Sequence, residues 1–408
     1  MIAFAGVAAL FAIAVALSAN RRAINWRIVL SAFALQAGFA VIVLYLPWGQ
    51  AALGSAALGV QEAINFTDRG TRFLFGDLYP EREGFFSVAL NVLPVIVFVS
   101  SLASVLYYLR IMQAMMTVIG GGLRRVIGVT RVEAVCAAAN IFIGMVESPL
   151  VIRPFLARLS HSQLFTVMGL GLSSVSGAIL IGYASLGIDS GYLVAAAFMA
   201  APGGIVMAKL LHPEDDAPHA IDQDDVRADS FDPDNPPANL VQAAADGAMA
   251  GLRVAVAVGA MLICFVALLA MANALVGWVG GLAGLDGLTL EAILGWLLAP
   301  LMFLLGIPWE EAVAAGNLVG QKTILNEFIA FVQLAEIRDT LSEHTVAVVT
   351  FALCGFANLT ALAIIMGGLG NLIPERRGEV SALGLRAVLC GSLSNLMSAA
   401  LASILLSL

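Results

Sequence analysis

Eight stretches of this 408-residue chain are each long and apolar enough to cross a lipid bilayer, and that succession leaves few folds open. They are Met1 to Ser18, Ile28 to Leu46, Phe85 to Leu109, Phe165 to Leu186, Tyr192 to Leu211, Val254 to Val279, Thr345 to Leu369 and Ala382 to Leu408. A hydrocarbon core about 30 Å thick is spanned by about 20 helical residues. Inside it no water can satisfy a backbone N–H or C=O, so each run reads as a helix that closes its own hydrogen bonds. Composition agrees: 60% of residues are hydrophobic and 12% charged, where a soluble domain keeps about a quarter charged.

The distribution of basic residues orients the runs. The first has no basic residue before it and Arg21, Arg22 and Arg27 after it, the reverse of a cleavable leader, which predicts a retained helix with its N-terminus outside. Alternation then places Arg124, Arg125, Arg131, Arg153, Arg158, Lys209, Arg376 and Arg377 at cytoplasmic ends and leaves chiefly Arg69, Arg72, Arg82 and Arg338 outside. That positive-inside bias puts the C-terminus outside too. The net charge of −8 belongs to one segment, His212 to Pro237, which holds nine Asp or Glu against one Arg and reads as a disordered acidic linker.

Several features carry no chemistry. Cys136, Cys264, Cys354 and Cys390 have no paired spacing and read as small core residues. Gly120-Gly121-Gly122 lacks the strand–loop–helix setting of a phosphate loop and reads as a cytoplasmic turn. Trp48, Trp278 and Trp309 fit interfacial anchors, and His161, His212, His219 and His344 have no ligand spacing. No nucleophile–base set or His-Glu-x-x-His helix is present, so the sequence predicts no enzyme.

Three further apolar stretches do not fit simple crossing. Leu288 to Ile307 carries Glu291 and Pro300 and reads as an interfacial or partly inserted helix. Val132 to Leu159 and Trp309 to Leu334 are apolar at both ends and polar in the middle, the pattern of re-entrant hairpins. Each midpoint holds Gly, amide groups and one Glu, Glu147 in the first and Glu327 in the second, and irregular backbone at that depth survives only where it lines a protein cavity. About thirty residues after each comes a spanning run with its own polar interruption, Ser173-Ser174-Val175-Ser176-Gly177 and Gly355-Phe356-Ala357-Asn358. Two broken segments at matching positions mark an internal repeat around a central site, and three crossings between the hairpins make it inverted. An intramembrane carboxylate must be paired, protonated or hydrogen-bonded; Glu147 and Glu327 either cap a half-helix or face a substrate. Asn358, Asn140 and Ser174 are open between interhelical hydrogen bonding and a site role.

The motifs then become specific. Asn140-Ile141-Phe142-Ile143-Gly144 with Glu147-Ser148-Pro149-Leu150, Ala200-Ala201-Pro202-Gly203-Gly204, Lys322-Thr323-Ile324-Leu325-Asn326-Glu327-Phe328 and Phe351 to Asn358 resemble the concentrative nucleoside transporter family over nearly the whole chain. The resemblance implies an all-α polytopic membrane protein of about eight transmembrane helices plus two re-entrant helical hairpins in an inverted repeat, with interfacial helices. It implies a homotrimeric, sodium-coupled nucleoside carrier of a bacterial inner membrane, with no nucleic-acid partner. A proton-coupled carrier of a different nucleoside-like metabolite is the alternative. The expected division is N-terminal scaffold helices over 1–131, a first transport repeat over 132–211, the acidic loop over 212–249, a scaffold helix over 250–280, the interfacial helix over 281–308 and a second transport repeat over 309–408.

Carried over by position, Glu327 and Asn358 hold ribose hydroxyls, Glu147 reaches the base through water, Phe356 packs near the base and Ile179 lines its pocket. The sodium ligands are the Asn140 and Ser174 side chains with the Ile143 and Val175 carbonyls, a set of hard, uncharged oxygens. The chain departs from the family pattern at Met145-Val146, where Gln-Thr is usual, and at Ala361, where a serine usually completes the ribose contacts. Met145, Val146 and Ala361 are therefore expected in the substrate site as apolar contacts.

Overall fold

The computed structural model describes residues 2–76, 87–145, 147–214, 237–282, 284–285 and 287–408, and among them every regular element is helical. The predicted runs reappear as helices, with two instructive differences. α1 (Ile2–Ala16), α2 (Trp26–Leu44), α4 (Leu93–Tyr108, entered through one π turn at Val88–Val92), α9 (Ser190–Leu211), α10 (Leu240–Leu282) and α16 (Arg377–Leu406) are continuous. The runs Phe165 to Leu186 and Thr345 to Leu369 are not. Each is two helices about a break: α7 (His161–Ser173) and α8 (Gly177–Ser185), then α14 (Glu343–Leu353) and α15 (Leu359–Leu372). Phe85, Arg82, Val146 and most of the acidic segment lie outside the described residues.

Two helices had no counterpart among the apolar runs. α3 (Pro47–Phe75, 29 residues) and α5 (Ile111–Ile127) carry polar residues on one face and apolar ones on the other, so a search for continuous apolar runs passes over them. α5 corrects the expected turn at Gly120 to Gly122. The three glycines lie inside the helix, and Gly120 rests on the Ala134 and Val135 backbone of α6 (Arg131–Asn140), so its missing side chain permits close helix packing. Cys264 is a second correction: it is exposed on α10, whose outer surface also shows Val256, Ile263 and Val266. In lipid an outward apolar side chain costs nothing, so an apolar residue is not thereby a core residue.

The first hairpin is α6, a turn, and the 3-10 segment Ser148–Arg158, kinked at Ile152. The second is α12 (Trp309–Ile324) and α13 (Glu327–Ile337). Before it, α11 (Leu290–Leu304, 15 residues) turns through 118° onto α12. At 1.5 Å per residue α11 is about 22 Å long, short of a bilayer crossing.

Packing sorts the helices. α4 and α10 pair along their lengths, because Gly247 and Gly251 lie on the α4 backbone at Ser100 and Val97 with no room for a methyl group. α7, α9, α14 and α16 form the buried centre, with α1 and α2 laid against α9 and α16. Near the start of α6 a buried ion pair ties the first hairpin to α9, Lys209 Nζ to Glu133 Oε1 at 2.6 Å.

Candidate functional site

The two breaks meet at the centre of the fold. Ser174, Val175 and Ser176 separate α7 from α8, and Ser176 caps α8 by accepting from the Ile179 N–H. Residues 354–358 separate α14 from α15, and Asn358 caps α15 by accepting from the Ala361 N–H at 2.6 Å. Such polar caps satisfy N–H groups that a helix leaves unpaired at its start. The Phe356 N–H donates to the Ser174 carbonyl at 3.2 Å, so the breaks touch backbone to backbone.

Glu327 is the buried first residue of α13, behind Asn326, which caps that helix by accepting from the Ile329 N–H at 2.9 Å. Its two carboxylate oxygens have separate donors: the Tyr183 hydroxyl reaches Oε1 at 2.9 Å and the Asn358 amide reaches Oε2 at 2.8 Å. Tyr183 is itself fixed by stacking on Phe331, ring centroids 4.3 Å apart, and by an edge contact with Phe328. The carboxylate thus sits at the favourable end of the α13 dipole with charge-assisted bonds on both oxygens. A carboxylate offers about four lone-pair positions, so capacity remains for hydroxyl donors of a ligand.

The other expected substrate residues cluster unevenly. Phe356 and Ala361 are buried beside Asn358, in the second break and the first turn of α15. Ile179 is half-buried in the first turn of α8. Glu147 opens the 3-10 segment, and its carboxylate lies against Gly144, where an added methyl group would strike it, close to Ser176. Met145 is buried with its side chain on Gly171 of α7. Val146 lies outside the described residues.

Three of the four expected ion ligands, Asn140, Ser174 and Val175, form one hydrogen-bonded group. Asn140 ends α6; its side-chain oxygen accepts from the Ser148 hydroxyl at 3.0 Å, and its amide donates to the Cys136 carbonyl at 3.0 Å. The Ser174 hydroxyl donates to the Asn140 carbonyl at 2.9 Å and lies 3.3 Å from the Val175 carbonyl. Ile143 and Val175 are buried, and the Gly177 N–H donates to the Phe142 carbonyl at 3.1 Å. The donor set is neutral oxygen throughout, which suits a hard monovalent cation. Among the described residues no three His, Cys, Asp or Glu side chains gather into a metal-holding group.

Four residues of this centre were not singled out from sequence: Tyr183, Ser148, Lys322 and Asn395. Ser148 and Lys322 stood within the quoted motifs, and Asn395 is a lone amide in an apolar helix, so each carried the general signal of a polar group inside a membrane segment. Tyr183 carried none.

Comparison with known proteins bears on this geometry as a whole. A family model described as the Na+ dependent nucleoside transporter C-terminus matches residues 192–403, its N-terminal counterpart matches 5–78, and a Gate model for nucleoside recognition matches 89–190. The chain is 46% identical to nucleoside permease NupC of Helicobacter pylori, over 99% of this chain and 97% of that protein. It is 33% identical to sodium/nucleoside cotransporter 1 of Rattus norvegicus, over 99% of this chain and 64% of that longer protein. A solved structure of CNTnw in an inward-facing substrate-bound state superposes with a TM-score of 0.94 at 46% identity, covering 100% of this chain and 98% of that one. A variant of CNTnw solved in an outward-facing state superposes equally well, with a TM-score of 0.94. Family models along most of the chain, a bacterial permease matched over nearly its full length and a shared fold agree with the hairpin-and-break centre described above, and they name a carrier rather than an enzyme. The chain belongs to the concentrative nucleoside transporter family.

Proposed function

We propose that this carrier takes up nucleosides driven by a sodium gradient, through alternating access of a mobile unit built from the two hairpins and their broken partner helices. The observation that carries the reading is Glu327, a buried carboxylate at a half-helix N-terminus, pinned by Tyr183 and Asn358 with acceptor capacity left over. A nucleoside presents two vicinal ribose hydroxyls and a flat base. Glu327 and Asn358 take the hydroxyls, Phe356 and Ile179 meet the base, and Glu147 contributes from the first hairpin. Met145, Val146 and Ala361 supply apolar contacts in place of polar ones.

Sodium is read as co-substrate. Asn140 and Ser174 side chains and the Ile143 and Val175 carbonyls supply its ligands, and the Ser174–Phe356 backbone bond supports a reading in which this group adjoins the nucleoside. The names of the matching family model and of the rat cotransporter support sodium as the coupling ion. In this reading 132–211 and 309–408 form the transport repeats, while 1–131 and 250–280 supply the scaffold against which they move. A homotrimer in a bacterial inner membrane completes the proposal; the exposed apolar face of α10 suits contact with lipid.

The test is Glu327→Gln, which keeps shape and removes the charged acceptor. Uridine and adenosine binding should weaken at least tenfold, or about 1.4 kcal/mol, with the protein still folded and trimeric by size-exclusion chromatography. Unchanged affinity would make Glu327 a structural residue and remove the basis of the assignment. Uptake that follows a proton gradient and ignores sodium would overturn the ion.

A further inference from the structure

Asn395 holds neither the nucleoside nor the ion in the proposed uptake, yet it touches both breaks. It lies in the middle of α16 and is 2% exposed. Its side-chain amide donates to the Ser173 carbonyl at 2.7 Å and to the Cys354 carbonyl at 3.0 Å. Its side-chain oxygen accepts from Lys322 Nζ at 2.7 Å, and the same ammonium donates to the Ala352 carbonyl at 2.8 Å. One carboxamide therefore joins the last residue of α7, the residue after α14 and a cation near the end of α12.

The spacing matters. Ser173 immediately precedes Ser174, and Cys354 lies two residues before Phe356. Gly355 fits between only because it lacks a side chain, since an added methyl would run into the Asn395 amide. Gly391, one turn earlier on α16, rests on the Leu172 carbonyl and leaves no slack. Carbonyls at helix ends need partners when buried, and local side chains could cap each end separately. Here a single planar amide holds both. The two hydrogens of one nitrogen keep a fixed angle, so the two carbonyls cannot move independently without losing a bond.

We propose that Asn395, anchored by Lys322, is the positioning residue that couples cation occupancy at the first break to nucleoside binding at the second. The inference rests on the sodium reading above. A cation drawn to the Ser174 and Val175 oxygens reorients the Ser173–Ser174 peptide. The amide fork and the Phe356–Ser174 bond then transmit that change to the segment carrying Phe356 and Asn358. Coupling of this kind is reciprocal: whatever factor sodium adds to nucleoside affinity, the nucleoside adds to sodium affinity.

The experiment measures the uridine Kd of the full-length protein in sodium and in a sodium-free choline buffer, in the parent and in Asn395→Ala. That substitution leaves room for water to satisfy the freed carbonyls. The ratio of the two Kd values should fall at least threefold towards one in the variant, and the sodium affinity ratio with and without uridine should fall by the same factor. A variant that binds more weakly but keeps the parent ratio makes Asn395 merely structural and overturns the inference while leaving sodium coupling intact. A parent ratio of one overturns the sodium reading itself, and this inference with it. Lys322→Met is the second variant, useful should Asn395→Ala not be recovered folded. It removes the anchor without touching the amide and should also lower the ratio at least threefold; an unchanged ratio there counts against the coupling role.

Discussion

The Tyr183 hydroxyl donates to Glu327 Oε1 at 2.9 Å across 144 positions of sequence, joining the second half of one broken helix to the tip of the opposite hairpin. This bond crosses between the two repeats, so the orientation of the carboxylate depends on both. Tyr183→Phe keeps the stack on Phe331 and removes only the donor. A hydrogen bond to a charged group contributes about 1.5–3 kcal/mol to the folded protein, so the melting temperature should fall by a few degrees, and because the donor also orients the carboxylate, uridine affinity should fall at least tenfold. Equilibrium binding and a melting curve on the same preparation check both parts, and retained affinity would show that Asn358 alone orients Glu327.

Asn140 gives a different readout. Asn140→Ala removes a proposed ion ligand together with the acceptor of the Ser148 hydroxyl. The concentration of sodium needed for half-maximal uptake should rise at least fivefold, and the tightening of uridine by sodium should disappear. If the sodium dependence of proteoliposome uptake is unchanged, the ion binds elsewhere.

The buried pair Glu133–Lys209 yields a stability prediction with an internal control. Its atoms lie 2.6 Å apart, and both side chains are at most 6% exposed. Lys209 also donates to the Ser162 hydroxyl at 3.1 Å. Removing one partner strands a buried charge at a cost of about 3–5 kcal/mol, whereas replacing both by neutral groups often costs little. Lys209→Met should therefore lower the melting temperature sharply, and Glu133→Gln in the same chain should restore most of the loss. A double variant no more stable than the single one would place the cost in lost packing of the lysine stem.

How much of this was legible in the sequence follows from which signals are local. Glu147, Glu327 and Asn358 stood out because each is a polar group amid apolar neighbours, beside glycine or a helix break, and the breaks at 174–176 and 354–358 lie at the predicted interruptions. The amphipathic helices α3 and α5 were missed because what marks them is the separation of polar and apolar residues onto opposite faces, and neither contains an unbroken apolar run. Tyr183 was invisible for another reason. A tyrosine in an apolar helix is ordinary, and its importance comes from meeting Glu327 in space, which no window along the chain contains. Asn395 shows the intermediate case, where intramembrane polarity signals a role but only the fold reveals its three partners.

Ala361 carries the last prediction. It is buried in the first turn of α15, and its N–H is the one that Asn358 caps, so a side chain at 361 stands beside the Asn358 amide that reaches Glu327. Ala361→Ser adds one hydroxyl there with almost no change in volume. Without ligand that hydroxyl can bond a carbonyl three or four residues earlier, as serine commonly does in helices, so little stability should be lost. With a ribonucleoside bound it offers one further partner to the sugar. A neutral hydrogen bond contributes about 0.5–1.5 kcal/mol net, so uridine and adenosine should bind about two- to twelvefold more tightly. Their 2′,3′-dideoxy analogues, which lack the vicinal hydroxyls, should change by less than about twofold. The measurement is competition of each pair against one labelled nucleoside, in parent and variant. A gain shared equally by ribo and dideoxy compounds would show that residue 361 does not face the sugar, and the assignment of Glu327 and Asn358 to the ribose would lose its neighbouring support.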